Sequence, residues 1–223
     1  MTRAGHRVDT GAPRPPAPDR RGDHGRIGFP AYLRLAIPVG LLFAVVYFAV
    51  NWLTARRPVH YRLYFDWELA IPFVPAMIYV YASILVLFLL PPLLLKRQEF
   101  VALARAMVAV ILVAAATFLL LPAEPGFQRP AQVPGYDAVF QALYALDQRY
   151  NLVPSLHVAC SALCVAALLH AGPRPALKLG LLLWAVLLSV SVLLVHQHHL
   201  LDVLTGWLLG LAAYRLVYRR RAA

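Results

Sequence analysis

The sequence predicts an all-α integral membrane protein: a six-transmembrane-helix bundle with a short interfacial helix in the outer loop between helices 3 and 4. Three observations predict it. Of 223 residues, 61% are hydrophobic and only 14% charged, a balance found in membrane-spanning chains rather than soluble domains. Charge-poor apolar windows recur near the length of about 20 residues that a helix needs to cross a ~30 Å hydrocarbon core. Lysine and arginine are placed unevenly. Of 21, only Arg56, Arg57, Arg62, Arg129 and Arg149 fall in segments that the order of windows leaves outside, the asymmetry that orients membrane proteins.

Each element has its own grounds. Residues 1–28 carry a proline-rich run, Ala12 to Pro18, several charges and almost no large apolar side chain. They are expected to form a disordered basic cytoplasmic tail. The apolar run that follows begins too late and runs too long for a cleaved secretory signal. The first span is placed at Leu35–Ala55. The loop after it, Arg56 to Glu68, holds Tyr61, Tyr64, Phe65 and Trp67, side chains that favour the membrane interface. The second span is placed at Ile71–Leu95 and the third at Ala106–Leu121. The loop Pro122 to Asn151 contains four prolines and then Tyr136 to Arg149, where Val139, Leu143 and Leu146 recur at helical spacing. That pattern predicts an amphipathic helix lying on the outer interface. The fourth span is placed at Pro154–Ala171, ended by Gly172-Pro173-Arg174-Pro175, and the fifth at Leu179–Val195. The sixth, Val203–Tyr214, can extend both ways, because Arg215 can snorkel and Asp202 can sit at the rim. Residues 29–218 thus form the membrane domain and 219–223 a basic cytoplasmic tail, with both termini cytoplasmic.

The net charge of +11 is mostly topological, and no basic surface interleaved with aromatic residues accompanies it. Nucleic-acid binding is excluded on that ground; the basic ends are expected to touch anionic membrane lipid. Cys160 and Cys164 are the only cysteines. One helical turn apart, they are poorly placed for a disulfide and read as small buried residues.

Chemistry concentrates in two polar clusters: Pro154-Ser155-Leu156-His157 and His196-Gln197-His198-His199-Leu200-Leu201-Asp202. Two helical crossings separate them, so both clusters lie on one side of the membrane, by the charge count the extracytoplasmic one. Ionisable groups near membrane depth are costly and mark function by default. His198 and Asp202 sit one turn apart on a shared helix face. A carboxylate there can accept one imidazole N–H, fix the tautomer and stabilise the imidazolium. The other ring nitrogen is then available as a nucleophile toward phosphorus, and His157 is placed as general acid and base. Pro154 at a helix start, with the Ser155 hydroxyl, suits an anion. Phosphoryl transfer fits these groups better than acyl transfer or hydride chemistry.

The spaced pair Pro154-Ser155-Leu156-His157 and His198-x-x-x-Asp202 resembles the second and third motifs of the type-2 phosphatidic acid phosphatase superfamily. Leu156, Asn151, the His196-x-His198 doublet and Ile71-Pro72-Phe73-Val74-Pro75 look most like the branch of inositol phosphorylceramide synthases; sphingomyelin synthases share the His-x-His-x-x-x-Asp pattern. The resemblance covers about residues 60 to 215. It implies a six-helix fold, a metal-independent lipid phosphohydrolase or phosphotransferase, His198 as the phosphohistidine, Asp202 as its support and His157 as acid and base. It implies no cofactor, and a lipid phosphate as substrate.

Departures from the family pattern matter. The first motif expects Lys, six residues, then Arg-Pro; Arg129-Pro130 is present, but Pro122 stands where the Lys belongs. The third motif expects Ser-Arg before its histidine, and Ser191 is followed by Val192. Arg129, Arg149 and His196 are the candidates to replace the two missing cations, with Ser155 as a further substrate-binding group. Other readings compete: a structural His157, Asp202 as a helix cap, zinc held by His196, His198, His199 and Asp202, a small transporter, or a non-catalytic relative. The sequence does not choose among lipid phosphates, between water and alcohol as acceptor, or among oligomeric states.

Overall fold

In the computed structural model the described residues are 25, 27–146 and 149–222. The expected tail at 1–28 lies almost wholly outside them. The helices are α1 (Phe29–Thr54), α2 (Ile78–Ala82), α3 (Ile84–Leu87), α4 (Pro91–Leu94), α5 (Arg97–Leu120), α6 (Asp137–Leu146), α7 (Leu156–His170), α8 (Pro175–Leu194), α9 (Leu200–Ala213) and α10 (Arg219–Ala222). A π-turn, Tyr214–Tyr218, joins α9 to α10, so one helical rod runs from Leu200 to Ala222. No strand occurs among the described residues, only an isolated bridge between Tyr61 and Ala123.

Four rods among the described residues are long and apolar enough to cross a membrane: α1, α5, α8 and the rod from Leu200 to Ala222. Large apolar side chains on these rods, among them Leu41, Val45, Leu183, Val186, Leu204 and Leu208, stand exposed on the outer faces. A bundle clothed in such groups is an integral membrane protein, since water would not tolerate that surface.

The windows differ from the rods at their ends for one reason. Charge-free windows stop at Arg34, Arg105, Lys178 and Arg215, whereas the helices run past them, because long basic side chains can reach out of the apolar layer. The second window is a different case. Instead of one helix over 71–95 the structure has a 3₁₀ turn, Pro75–Met77, and then α2, α3 and α4. Pro72, Pro75, Pro91 and Pro92 remove amide donors, and Ser83 separates α2 from α3, its hydroxyl donating to the Val80 carbonyl at 2.6 Å. This stretch and α7, at 15 residues, are shorter than the four spanning rods.

Helix α7 is the axis of the bundle. Its residues from Leu156 to Cys164 are buried apart from the half-buried His157, and it packs against α5, α8 and α9. The contact with α9 is a backbone contact. A Cβ placed on Gly206 would lie 2.8 Å from the Ser155 carbonyl oxygen, and one on Gly210 would lie 2.5 Å from that of Ala159. Gly206-x-x-x-Gly210 against Ser155, Ala159 and Ala162 is the small-residue packing that lets membrane helices approach closely.

Helix α6 lies in the connection between α5 and α7; of the stripe Val139, Leu143 and Leu146, the first and last are exposed and Leu143 packs against the neighbouring cluster. Phe140 is fully buried against Phe73 and Tyr144, within a cluster that includes Ile78, Val133 and Val195. Both faces are apolar, and the aromatic one, with more area to bury, wins the protein side.

Candidate active site

Loops converge at the end of the bundle where α7 and α9 begin. The chain after α1 pairs with the chain after α5: Tyr61 N donates to the Pro122 carbonyl and the Tyr61 carbonyl accepts from Glu124 N, both at 2.8 Å. Val74 N donates to the Leu194 carbonyl at 2.8 Å. The turn from α8 to α9 is a Schellman motif: Gln197 N reaches the Val192 carbonyl and His196 N that of Leu193, both at 3.0 Å. Its left-handed position, usually glycine, is His196, with φ +55°. The strained backbone is held by its ring, whose Nε2 is 2.9 Å from the Ile71 carbonyl and which stacks 3.9 Å from Phe127.

That turn delivers His198. Its Nδ1 donates to Asp202 Oδ2 at 3.1 Å, and the same oxygen accepts from His199 N at 2.8 Å. Asp202, 1% exposed, therefore caps α9 and orients His198 at once. The Asp202 carbonyl in turn accepts from Ser155 N at 2.9 Å, tying the start of α9 to the start of α7. Ser155 is fully buried as the N-cap of α7, its Oγ accepting from Val158 N at 3.3 Å. Two residues on, the His157 ring stacks on Tyr81 at 4.2 Å. His157 Nε2 is buried with no hydrogen-bond partner among the described residues. An imidazole nitrogen left so in an apolar surround is costly unless a ligand completes it.

His157 and His198 line one cavity of about 460 Å³, together with Asn151, Tyr47, Tyr81 and a long apolar wall. The catalytic candidates are thus brought together, His198 and Asp202 by a hydrogen bond and His157 across shared space. Arg129, Arg149 and His196 are brought together elsewhere, in a smaller pocket with Gln197 and His199. There Arg129 lies over the Tyr144 ring at 4.5 Å, and Arg149 has φ +82°. His199, on the lining of this smaller pocket, is sandwiched between Tyr64 at 4.4 Å and Phe127 at 4.3 Å. Among the described residues no three His, Cys, Asp or Glu side chains are grouped as metal ligands would be.

One carboxylate here is not legible in the sequence. Glu68 is completely buried; Oε1 accepts from Phe65 N at 2.9 Å and Oε2 from Leu200 N at 2.7 Å. Oε2 also faces His199 Nδ1 at 3.4 Å, an electrostatic contact rather than a formed hydrogen bond. Gly126 N donates to His199 Nε2 at 3.3 Å, so the ring proton belongs on Nδ1, toward Glu68. Glu68 and Asp202 between them take the amides of Leu200 and His199 at the start of α9.

Burial holds His199 below the usual imidazole range, against the pull of Asp202 and Glu68; burial lowers His196 too, against its bond to the Ile71 carbonyl. Both rings charge more readily unfolded than folded. Their contribution is therefore whole above the ordinary histidine value of about 6.5 and is lost as pH falls toward the lowered folded values. Thermal unfolding of the detergent-solubilised protein is expected at lower temperature near pH 5.5 than near pH 7.5, and His199→Gln should flatten that difference. An unfolding temperature independent of pH in the wild type would remove this account of the two rings.

A family model described as the PAP2 superfamily matches residues 31–216. No curated protein and no solved structure matches the chain.

Proposed function

The chain belongs to the PAP2 superfamily, and from that premise we propose that it is a membrane lipid phosphatase or phosphotransferase working through a phosphohistidine on His198. The supporting observation is the pairing of His157 with an Asp202-held His198 on one cavity whose remaining wall is largely apolar. In this reading the phosphate of a lipid sits between the two rings, with its tail along that wall. His198 Nε2 attacks phosphorus, a P–N bond forms, the P–O bond to the lipid alcohol breaks, and His157 gives the leaving oxygen its proton. Asp202 stabilises the imidazolium that results. His157 then takes a proton from water or a second alcohol, whose oxygen attacks phosphorus and releases His198.

The separate pocket of Arg129, Arg149 and His196, whose charge comes from the two arginines, is assigned to anionic or hydroxyl groups of the headgroup or acceptor. The same reading counts six crossings, four by the long rods and two by the shorter Pro75–Leu87 and Leu156–His170 segments, with both termini on the cytoplasmic side. The lysine and arginine distribution then sets the active site outside. The pattern His196-x-His198-x-x-x-Asp202 favours head-group transfer of the inositol phosphorylceramide synthase type as the second reading.

A panel of lipid phosphates and diphosphates, with and without a free alcohol and in chelator, tests the proposal. Phosphate release, or transfer to the alcohol, is expected from at least one lipid with chelator present. Radiolabel should be trapped on the wild-type protein by a denaturing quench at alkaline pH, where a phosphoramidate survives. No turnover and no trapped label with any lipid would leave a transporter or a non-catalytic relative.

A further inference from the structure

The cavity that carries His157 and His198 at one end continues far along the bundle axis. On α1 its lining runs from Tyr47 through Phe43, Gly40 and Ala36 to Tyr32, 15 residues, or ~22 Å of helix at 1.5 Å per residue. On α5 it runs from Ile111 through Met107 and Leu103 to Phe100, or ~16 Å by the same rise. On α7 it follows one stripe, Leu156, Cys160 and Cys164, at four-residue spacing. At the far end it is lined by Tyr32 and Phe100, whose rings pack 5.5 Å apart. Half of a ~30 Å hydrocarbon core is ~15 Å, so the cavity is deeper than one leaflet.

We propose that this cavity is a measuring slot for a single long aliphatic tail of the substrate, closed by Tyr32 and Phe100 and given its bore by Gly40. The occupant follows from continuity: the polar mouth holds the two histidines, and the walls below it are aliphatic and aromatic. Gly40 is the decisive residue. It lines the slot, and a Cβ built on it meets nothing within 4 Å, so a side chain there enters the slot without moving backbone. Ala36, one turn away on the same face, is similarly small. At this level α1 presents only small side chains to the slot, and a bulky one in place of Gly40 would occupy its bore.

This inference rests on the proposed lipid-phosphate activity, and its test separates the two. Octyl and octadecyl phosphate are compared as substrates, and octyl and octadecyl phosphonate as ligands, on the full-length protein in lipid nanodiscs. Wild type and Gly40→Phe are used, with Leu41→Phe, on the exposed outer face of α1, as the control. Gly40→Phe is expected to lower kcat/KM and affinity for the octadecyl compounds roughly tenfold or more, the scale of a pocket's discrimination by shape. The octyl compounds should stay within about twofold, and Leu41→Phe should match wild type. Equal losses for both lengths, or no loss for either, overturn the slot. If no lipid is turned over but phosphonate binding still loses its length preference in Gly40→Phe, the slot stands and the proposed reaction falls.

Discussion

His198→Ala is expected to lose lipid-phosphate turnover by a factor on the order of 10⁴ or more, about 5 kcal/mol of transition-state stabilisation. The expectation comes from position. His198 is the one ring on the cavity with a carboxylate on its Nδ1, which leaves Nε2 for bond formation. In the proposed reaction His157→Ala removes the proton donor rather than the nucleophile, and a loss of ~10²–10⁴ is expected. The two variants separate by leaving group. With an aryl phosphate, whose departing oxygen needs no proton, His157→Ala should still form labelled phosphoenzyme, and His198→Ala should form none. Asp202→Asn keeps an acceptor for His199 N but loses the charge beside His198, so turnover should fall with little change in thermal unfolding. Wild-type turnover in His198→Ala would end the proposed chemistry.

Gly210→Val should cost about 2–3 kcal/mol of stability, the range for overpacking a tight core, and should abolish activity with it. The added Cβ would lie 2.5 Å from the Ala159 carbonyl oxygen and 3.0 Å from the Ala162 Cβ, neither a flexible chain end. Helices α7 and α9 must then separate, and that separation pulls the Ser155 N bond to the Asp202 carbonyl and moves His198 away from His157. Gly180→Val is the matched control, since nothing lies within 4 Å of a Cβ there. Melting temperature and turnover measured together decide it: if the two valine variants behave alike, close packing is not what holds the centre together.

How far the sequence carries can be argued from these same residues. The apolar windows find the long rods because hydropathy is a local property, and the histidine clusters come together because two successive helices, α7 and α8, return the chain to the end of the bundle it left. Breaks in the second window are legible in its four prolines. Gly206-x-x-x-Gly210 is legible too, as a spacing of small residues in an apolar stretch, and it is the feature that sets how near the two motifs stand. Glu68 is not. It stands among aromatic residues suited to a membrane interface, and its partner Leu200 N is 132 residues away. Nor can spacing reveal that Arg129, Arg149 and His196 share a pocket apart from His157, since loop packing around Phe127 and His199 decides that.

Helix α7 has a quiet geometric effect. Its 15 residues measure ~22 Å, about 8 Å less than the ~30 Å of hydrocarbon a bilayer presents. The rods that pack against it, α5, α8 and the one from Leu200 to Ala222, are each longer. In the proposed reaction charge develops between His157 and His198 beside a largely apolar wall, where it is felt more strongly than in open water.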